Sequence, residues 1–167
     1  MGDLRQRLVT TALDWEIAFG NAPSITSVLS EYDAAILVGC SPEDYSFSMR
    51  GATAVQKGYD FKKGAVRYQV KANRPSGKPG SFVTLVAKAT NYDWDFLIWV
   101  LYNPKYEIQE AWQWDVAAYK EAFDSIKTLR PKHYRMGKRL MFSAVPPPGF
   151  PQESDSSCSL AMGRSDS

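Results

Sequence analysis

Apolar positions recur at helical spacing over the first third of the chain. Leu4, Leu8, Thr11, Trp15 and Phe19 approximate one helical stripe, which predicts a helix capped by Asp3 and ending near Phe19. Gly20-Asn21-Ala22-Pro23 stops it. Ser24 is the expected N-cap of a second helix, in which Ile25, Val28, Leu29, Tyr32 and Ile36 follow the 3.6-residue period to about Val38, before Gly39. Cys40 to Gln56 carries no clear period and reads as a loop with a short turn.

The period then changes to two. Lys57-Gly58-Tyr59-Asp60-Phe61 and Arg67-Tyr68-Gln69-Val70-Lys71 predict two strands, with a hairpin turn over Lys62-Lys63-Gly64. Residues 74–80 form a Pro- and Gly-rich loop. Phe82 to Ala87 fits either a short strand or a helix start. The continuous apolar run Phe96 to Tyr102 predicts a fully buried strand, followed by a turn at Asn103-Pro104-Lys105 and a strand from Tyr106 to Trp112. Asp115 can cap a helix from Val116 to about Ile126. A basic connector spans Leu129 to Leu140. The expected fold is therefore α/β, or α+β with a mixed central sheet and flanking helices. Three segments follow: an N-terminal helix (1–23), one domain (24–142) and a Ser-, Pro- and Gly-rich tail (143–167) expected to be disordered.

Composition narrows the classes. A hydrophobic fraction of 44% and 13% aromatic residues suit a folded domain with a substantial core. No apolar run has the roughly 20 residues of a membrane span, and the first residues lack the pattern of a secretory signal. Two cysteines make no disulfide framework, so a cytoplasmic protein is expected. The net charge of +2 is unevenly spread: residues 151–167 carry −2, leaving +4 on residues 1–150. Basic residues crowd two segments, Lys62 to Lys78 and Arg130 to Arg139, which suits a polyanionic partner.

Much chemistry is missing. His133 is the single histidine, so neither a His/Cys zinc site nor a Ser–His or Cys–His triad has its parts. No Gly-rich phosphate loop is present. What remains is Asp60 on one strand and Gln69 and Lys71 two apart on the next, hence on one face, with Val70 turned to the core. An acid, an amide and an ammonium on one face cost free energy to bury unless they bind something or each other. A Mg²⁺ ion would use the two oxygens, and Lys71 would orient a water or stabilise charge on a phosphoryl group.

The pair Gly58-Tyr59-Asp60 and Arg67-Tyr68-Gln69-Val70-Lys71-Ala72-Asn73-Arg74 resembles the PD-(D/E)XK nuclease superfamily. It is most similar to small restriction-endonuclease-like proteins with a Gln in the triplet. In that group a helix bearing Gly/Ser-Glu-Tyr precedes the motif, and Ser30-Glu31-Tyr32 fits the slot. The resemblance spans about Ile25 to Phe123. Two departures are plain: Tyr59 precedes Asp60 where the superfamily has proline, and Gln69 replaces an acid.

The resemblance implies a Mg²⁺-dependent (or Mn²⁺-dependent) DNA endonuclease. Asp60, Gln69 and Glu31 would hold the metal, and Lys71 would complete the catalytic set. Lys57, Arg74 and Lys78 would contact phosphates of double-stranded DNA, and a homodimer would cut both strands. The alternative is a catalytically inactive nuclease fold that binds DNA or protein. Glu16 and Asp14 are weaker rivals to Glu31. The tryptophans are expected in the core, and His133 in an ordinary polar setting.

Overall fold

The computed structural model describes residues 2–50 and 58–142. It is a mixed α/β structure. Three helices, α1 (Gly2–Phe19), α2 (Thr26–Leu37) and α3 (Pro42–Met49), precede strands β1 (Phe61–Lys63), β2 (Val66–Asn73), β3 (Phe96–Tyr102) and β4 (Ile108–Asp115). Then come α4 (Val116–Phe123), the single turn α5 (Pro131–Tyr134) and the short strand β5 (Lys138–Arg139). The five strands lie side by side in chain order. All neighbours are antiparallel except β2 and β3, which run parallel.

Each face of the sheet packs its own core. Tyr68 and Val70 of β2, with Ile98, Val100 and Tyr102 of β3, point to α1 and α2. Ala34 and Ala35 are fully buried there, and their small side chains let α2 lie close to the sheet. On the opposite face Leu97, Trp99 and Trp114 meet Trp94, Tyr119, Phe123 and Tyr134. Trp94 and Trp99 are fully buried, as large aromatics without free polar ends should be. Their indole N–H groups donate to the Asn91 carbonyl and to Asn73 Oδ1.

The parallel step from β2 to β3 needs a crossover. Here residues 74–95 make it without a helix. Its one ladder-type contact is Val86 with Leu129, so Phe82 to Ala87 is neither strand nor helix. The Tyr119 hydroxyl accepts from Ala89 N–H, and Tyr134 donates to the Ala87 carbonyl. The sheet's second face thus holds the crossover through buried tyrosines.

Several local expectations shift. The core face of α1 is not the Leu4–Phe19 stripe. It is Arg5, Val9, Ala12, Leu13 and Glu16, while Leu4, Trp15 and Phe19 are exposed. Asp3 lies inside α1, which begins at Gly2. Ser24 does not cap α2; Ile25 takes that place with no side-chain bond. Gly39, at φ +83, does end it. The segment read as a loop contains α3, whose Ser41 and Asp44 form a reciprocal capping box with Pro42 at the first helical position. Lys62 and Lys63 lie in β1, and the turn is Gly64-Ala65. The 129–140 connector carries α5 and β5. The expected strand start at Lys57 and the tail 143–167 fall outside the described residues.

The N-terminal helix is part of the same packed body. Asp33 of α2, 5% exposed, accepts Arg5 Nε and Nη2 at 2.6 Å each, and the Tyr102 hydroxyl at 2.7 Å. Arg5 also donates to the Tyr106 carbonyl at 3.1 Å. A buried carboxylate is tolerable only with such bidentate, fully hydrogen-bonded partners. Burial and the adjacent Asp33 push the Tyr102 hydroxyl far above its ordinary pKa.

Candidate active site at the edge of strand β2

Strand β1 is short, and this creates the site. Its register pairs Phe61 with Tyr68, and Asp60 N–H still reaches the Tyr68 carbonyl at 2.7 Å. Beyond that point β1 has ended while β2 continues to Asn73. An unpaired strand edge leaves backbone donors to satisfy. Asp60 supplies the acceptor: its Oδ2 takes the Val70 N–H at 2.6 Å. The same oxygen accepts from Gln69 Nε2 at 2.5 Å.

Gly58 sets the approach of this segment. Its φ is +94, and a Cβ there would sit 2.5 Å from Cβ of Asp93. Only glycine combines that backbone with that proximity. The Gly58-Tyr59-Asp60 signature is therefore a geometric unit: Gly58 passes the crossover, and two residues later Asp60 meets the β2 edge.

Gln69 and Lys71 share a face, opposite Val70. They pair in register with Leu97 and Trp99, on the aromatic side of the sheet. Gln69 is 7% exposed, and its amide nitrogen, directed at Asp60 and, at 3.4 Å, the Val70 carbonyl, holds the carboxylate in place. Its carbonyl oxygen is the polar atom left over. Lys71 is half-buried and interacts through charge with both Asp60 and Glu31.

Glu31 comes to the same edge from α2. Burial, and then the charge of Asp60, push its carboxyl from the ordinary 4.5 up to about 7, against the opposing pull of Lys71. No described residue donates a hydrogen bond to it. Burial likewise raises Asp60, opposed by the Val70 N–H, Lys71 and Gln69. Two carboxylates facing one ammonium leave the cluster with excess negative charge. Burial and the proximity of the two acids therefore both favour the protonated forms.

Tyr45 belongs to this neighbourhood and was missed. Its hydroxyl is pushed up to about 12, first by burial and then by Glu31 and Asp60. It lies on α3, whose only sequence signal was the Ser41-Pro42-Glu43-Asp44 cap. Glu16, the rival acid, is bound to Arg74 instead.

The phosphate-contact expectations divide. Arg74 is corrected: its side chain is 8% exposed, it pairs with Glu16 at 2.6 Å, donates to the Pro104 carbonyl and lies 4.3 Å over the Tyr106 ring. Its charge is spent joining α1, β2 and the β3–β4 turn. Lys78 is exposed in the 74–80 loop. Lys57 lies outside the described residues. The first basic segment is less available than its composition suggests. Arg67 is clamped by Asp95 through backbone and side chain, and Lys63 donates to the Val38 carbonyl. In the second, Arg135 forks onto Glu110. His133 accepts the Arg130 N–H, an ordinary local role.

Among the described residues, no group of three or more His, Cys, Asp and Glu side chains is placed to hold a metal ion. No described helix is long and apolar enough to cross a membrane. Compared with known proteins, the chain matches no family model and no curated protein.

Proposed function

We propose that this chain is a Mg²⁺-dependent phosphodiesterase acting on DNA, with a restriction-endonuclease-like core. The observation that carries the reading is the convergence of Gln69 and Lys71 of β2 with Asp60, which lies just before β1, and Glu31 of α2 at one strand edge, with Glu31 raised to about 7. The donor set fits a hard ion. Two carboxylates and an amide carbonyl are the few oxygens with which proteins hold Mg²⁺, which keeps several waters of its own. Asp60 and Glu31 would hold it, with the Gln69 carbonyl as third donor. When bound, the ion would polarise a phosphoryl oxygen and lower the pKa of a water.

The chain's own residues supply the rest. The Gln69 side-chain Nε2–H and the Val70 backbone N–H fix the Asp60 carboxylate in one orientation. Lys71 orients a nucleophilic water and offsets negative charge as it builds on the phosphoryl oxygens. Lys78, and Lys57 in the preceding segment, would contact the DNA backbone.

One feature favours a second reading, a nuclease fold that binds DNA or protein without cutting. The Gln69 amide nitrogen, not its oxygen, faces Asp60. A plasmid and oligonucleotide cleavage assay with Mg²⁺ or Mn²⁺ separates the two. Cleavage by the wild type and its loss, by a factor of about a thousand or more, in Asp60→Ala and Lys71→Ala supports catalysis. Salt-sensitive DNA binding with no cleavage in either metal supports the binding-only reading.

A further inference from the structure

We infer that the cleft between residues 82–85 of the crossover and α5 binds single-stranded nucleic acid, with phosphates on its arginine and lysine side chains and a base on Phe82. The cleft shares no residue with the Asp60 cluster, so this surface stands apart from the nuclease reading.

Charge is the first observation. Residues 125–142 hold six lysines and arginines, one histidine and no acid. The opposite wall comes from residues 74–92, which also hold no acid. The six cations of the first segment, Lys127, Arg130, Lys132, Arg135, Lys138 and Arg139, are all exposed. Arg135 is paired with Glu110, and Arg139 lies 5.8 Å over the Trp112 ring. Lys138 and Arg139 form the edge strand β5, where cations keep a sheet edge from pairing with another chain. That role does not extend to Arg130 and Lys132, at the N-cap of α5 and inside it. Neither has an acidic partner among the described residues. Cations gathered on two acid-free walls are matched by a polyanion.

Shape is the second observation. Phe82, Leu85, Arg130, Lys132 and Arg135 line one cleft of about 550 Å³. Phe82 is 76% exposed and Leu85 54%. Their segment is held in place. Asn73 Nδ2 donates to the Leu85 carbonyl at 3.2 Å, and Val86 N–H to the Leu129 carbonyl at 3.1 Å. The Tyr134 hydroxyl donates to the Ala87 carbonyl at 2.9 Å. Leu129 and Tyr134 are themselves buried, so the two walls are tied together at the core. The fold thus presents an exposed aromatic ring in the same cleft as two cations that no acid compensates.

The two observations together select the partner. An acidic peptide would use the cations and leave Phe82 idle. A bilayer would need the apolar residues on a protruding surface, and here they line a concavity. A nucleic-acid strand alternates phosphates with flat apolar rings, which suits arginine forks, lysines and an exposed aromatic. The bases must be free to stack on Phe82. A single strand meets that condition, and a duplex, whose base faces are already stacked, does not.

Fluorescence anisotropy of the full chain with a dT strand of about 15 nucleotides tests this, in EDTA so that no metal-dependent step enters. Binding should weaken steeply between about 50 and 200 mM salt. Arg130→Ala combined with Lys132→Ala, with circular dichroism unchanged, should weaken it at least about tenfold and make the salt dependence shallower. Phe82→Leu, which keeps an apolar side chain, should weaken it about tenfold with the salt dependence unchanged, and Phe82→Trp should bind as wild type. An rU strand should bind within about tenfold of the dT strand, because phosphates and base faces are common to both. A duplex of the same length should bind at least about fivefold more weakly. Absence of binding at low salt, full binding by the double variant or full binding by Phe82→Leu overturns the inference. So does a duplex that binds as well as the strand, a larger preference for one sugar, or equal competition by polyglutamate.

Discussion

Two clusters of charge sit on either side of helix α2, and they are built on opposite principles. Around Asp33 every group is matched: one carboxylate, one guanidinium in a two-point grip, one hydroxyl and one carbonyl. Around Asp60, two carboxylates meet one ammonium, and Glu31 has no described hydrogen-bond donor. The residue types are similar and the distance along α2 is only two positions. The first arrangement closes α1 onto the fold. The second leaves charge uncompensated at a strand edge, which costs stability. Complete satisfaction marks a structural cluster here, and incomplete satisfaction marks the functional candidate.

Breaking the matched cluster should have the largest effect. Asp33→Ala strands a buried guanidinium and hydroxyl, and should cost about 3–5 kcal/mol by urea denaturation. Gly58→Ala attacks the frame of the unmatched cluster. It forces a positive φ on alanine and a contact with Asp93, and should cost about 2–3 kcal/mol in the same measurement. On the proposed nuclease reading it should also lower Mg²⁺-dependent cleavage by displacing Asp60.

Glu31→Gln should do the reverse of Asp33→Ala. The Glu31 carboxyl is raised in the folded state to about 7 from 4.5, so its contribution to stability is full below 4.5 and lost as pH rises through 7. At pH 8 without metal the variant should therefore be more stable than wild type, by about 2 kcal/mol after allowing for partial solvation. The gap should close below pH 4.5. Added Mg²⁺ should narrow it at pH 8 by stabilising the wild type alone. A wild type that is the more stable of the two at pH 8 without metal would remove the distinction between the clusters. The smallest change is expected at Arg74→Lys, which keeps the charge but loses the fork onto Glu16 and Pro104. A loss of about 1 kcal/mol, with DNA affinity unchanged, would confirm its role as a tie between elements.

Strands β3 and β4, the helix after Asp115 and the end of α2 at Gly39 were legible because each rests on local chemistry. A continuous apolar run, an aspartate cap and a positive-φ glycine act within a few residues. The pairing of Asp60 with the Gln69–Lys71 strand was legible for the same reason: a short hairpin limits the register, and alternation assigns the faces. The Gly64-Ala65 turn moved β1 by several residues without changing that outcome, since Asp60 still lies one step beyond the last pair.

What failed depended on distant partners. The stripe on α1 gave the helix its period, yet periodicity alone does not say which face the fold covers, and Leu4, Trp15 and Phe19 are exposed. Val9 and Ala12 go inward because Arg5 finds Asp33 and Glu16 finds Arg74, across 28 and 58 residues. Arg74 is indistinguishable in sequence from a phosphate contact until Pro104 and Tyr106 close over it. Tyr45 enters the site only because α3 sits beside β1. The sequence by itself determined the element types, the mixed sheet and the placing of Asp60, Gln69 and Lys71 on one hairpin, because short-range geometry leaves few alternatives. Only the tertiary structure decided which charges are matched, since an ionic partner is chosen by proximity in space. It alone brought Glu31 beside Asp60, two acids to one ammonium, while Asp33 is fully hydrogen-bonded.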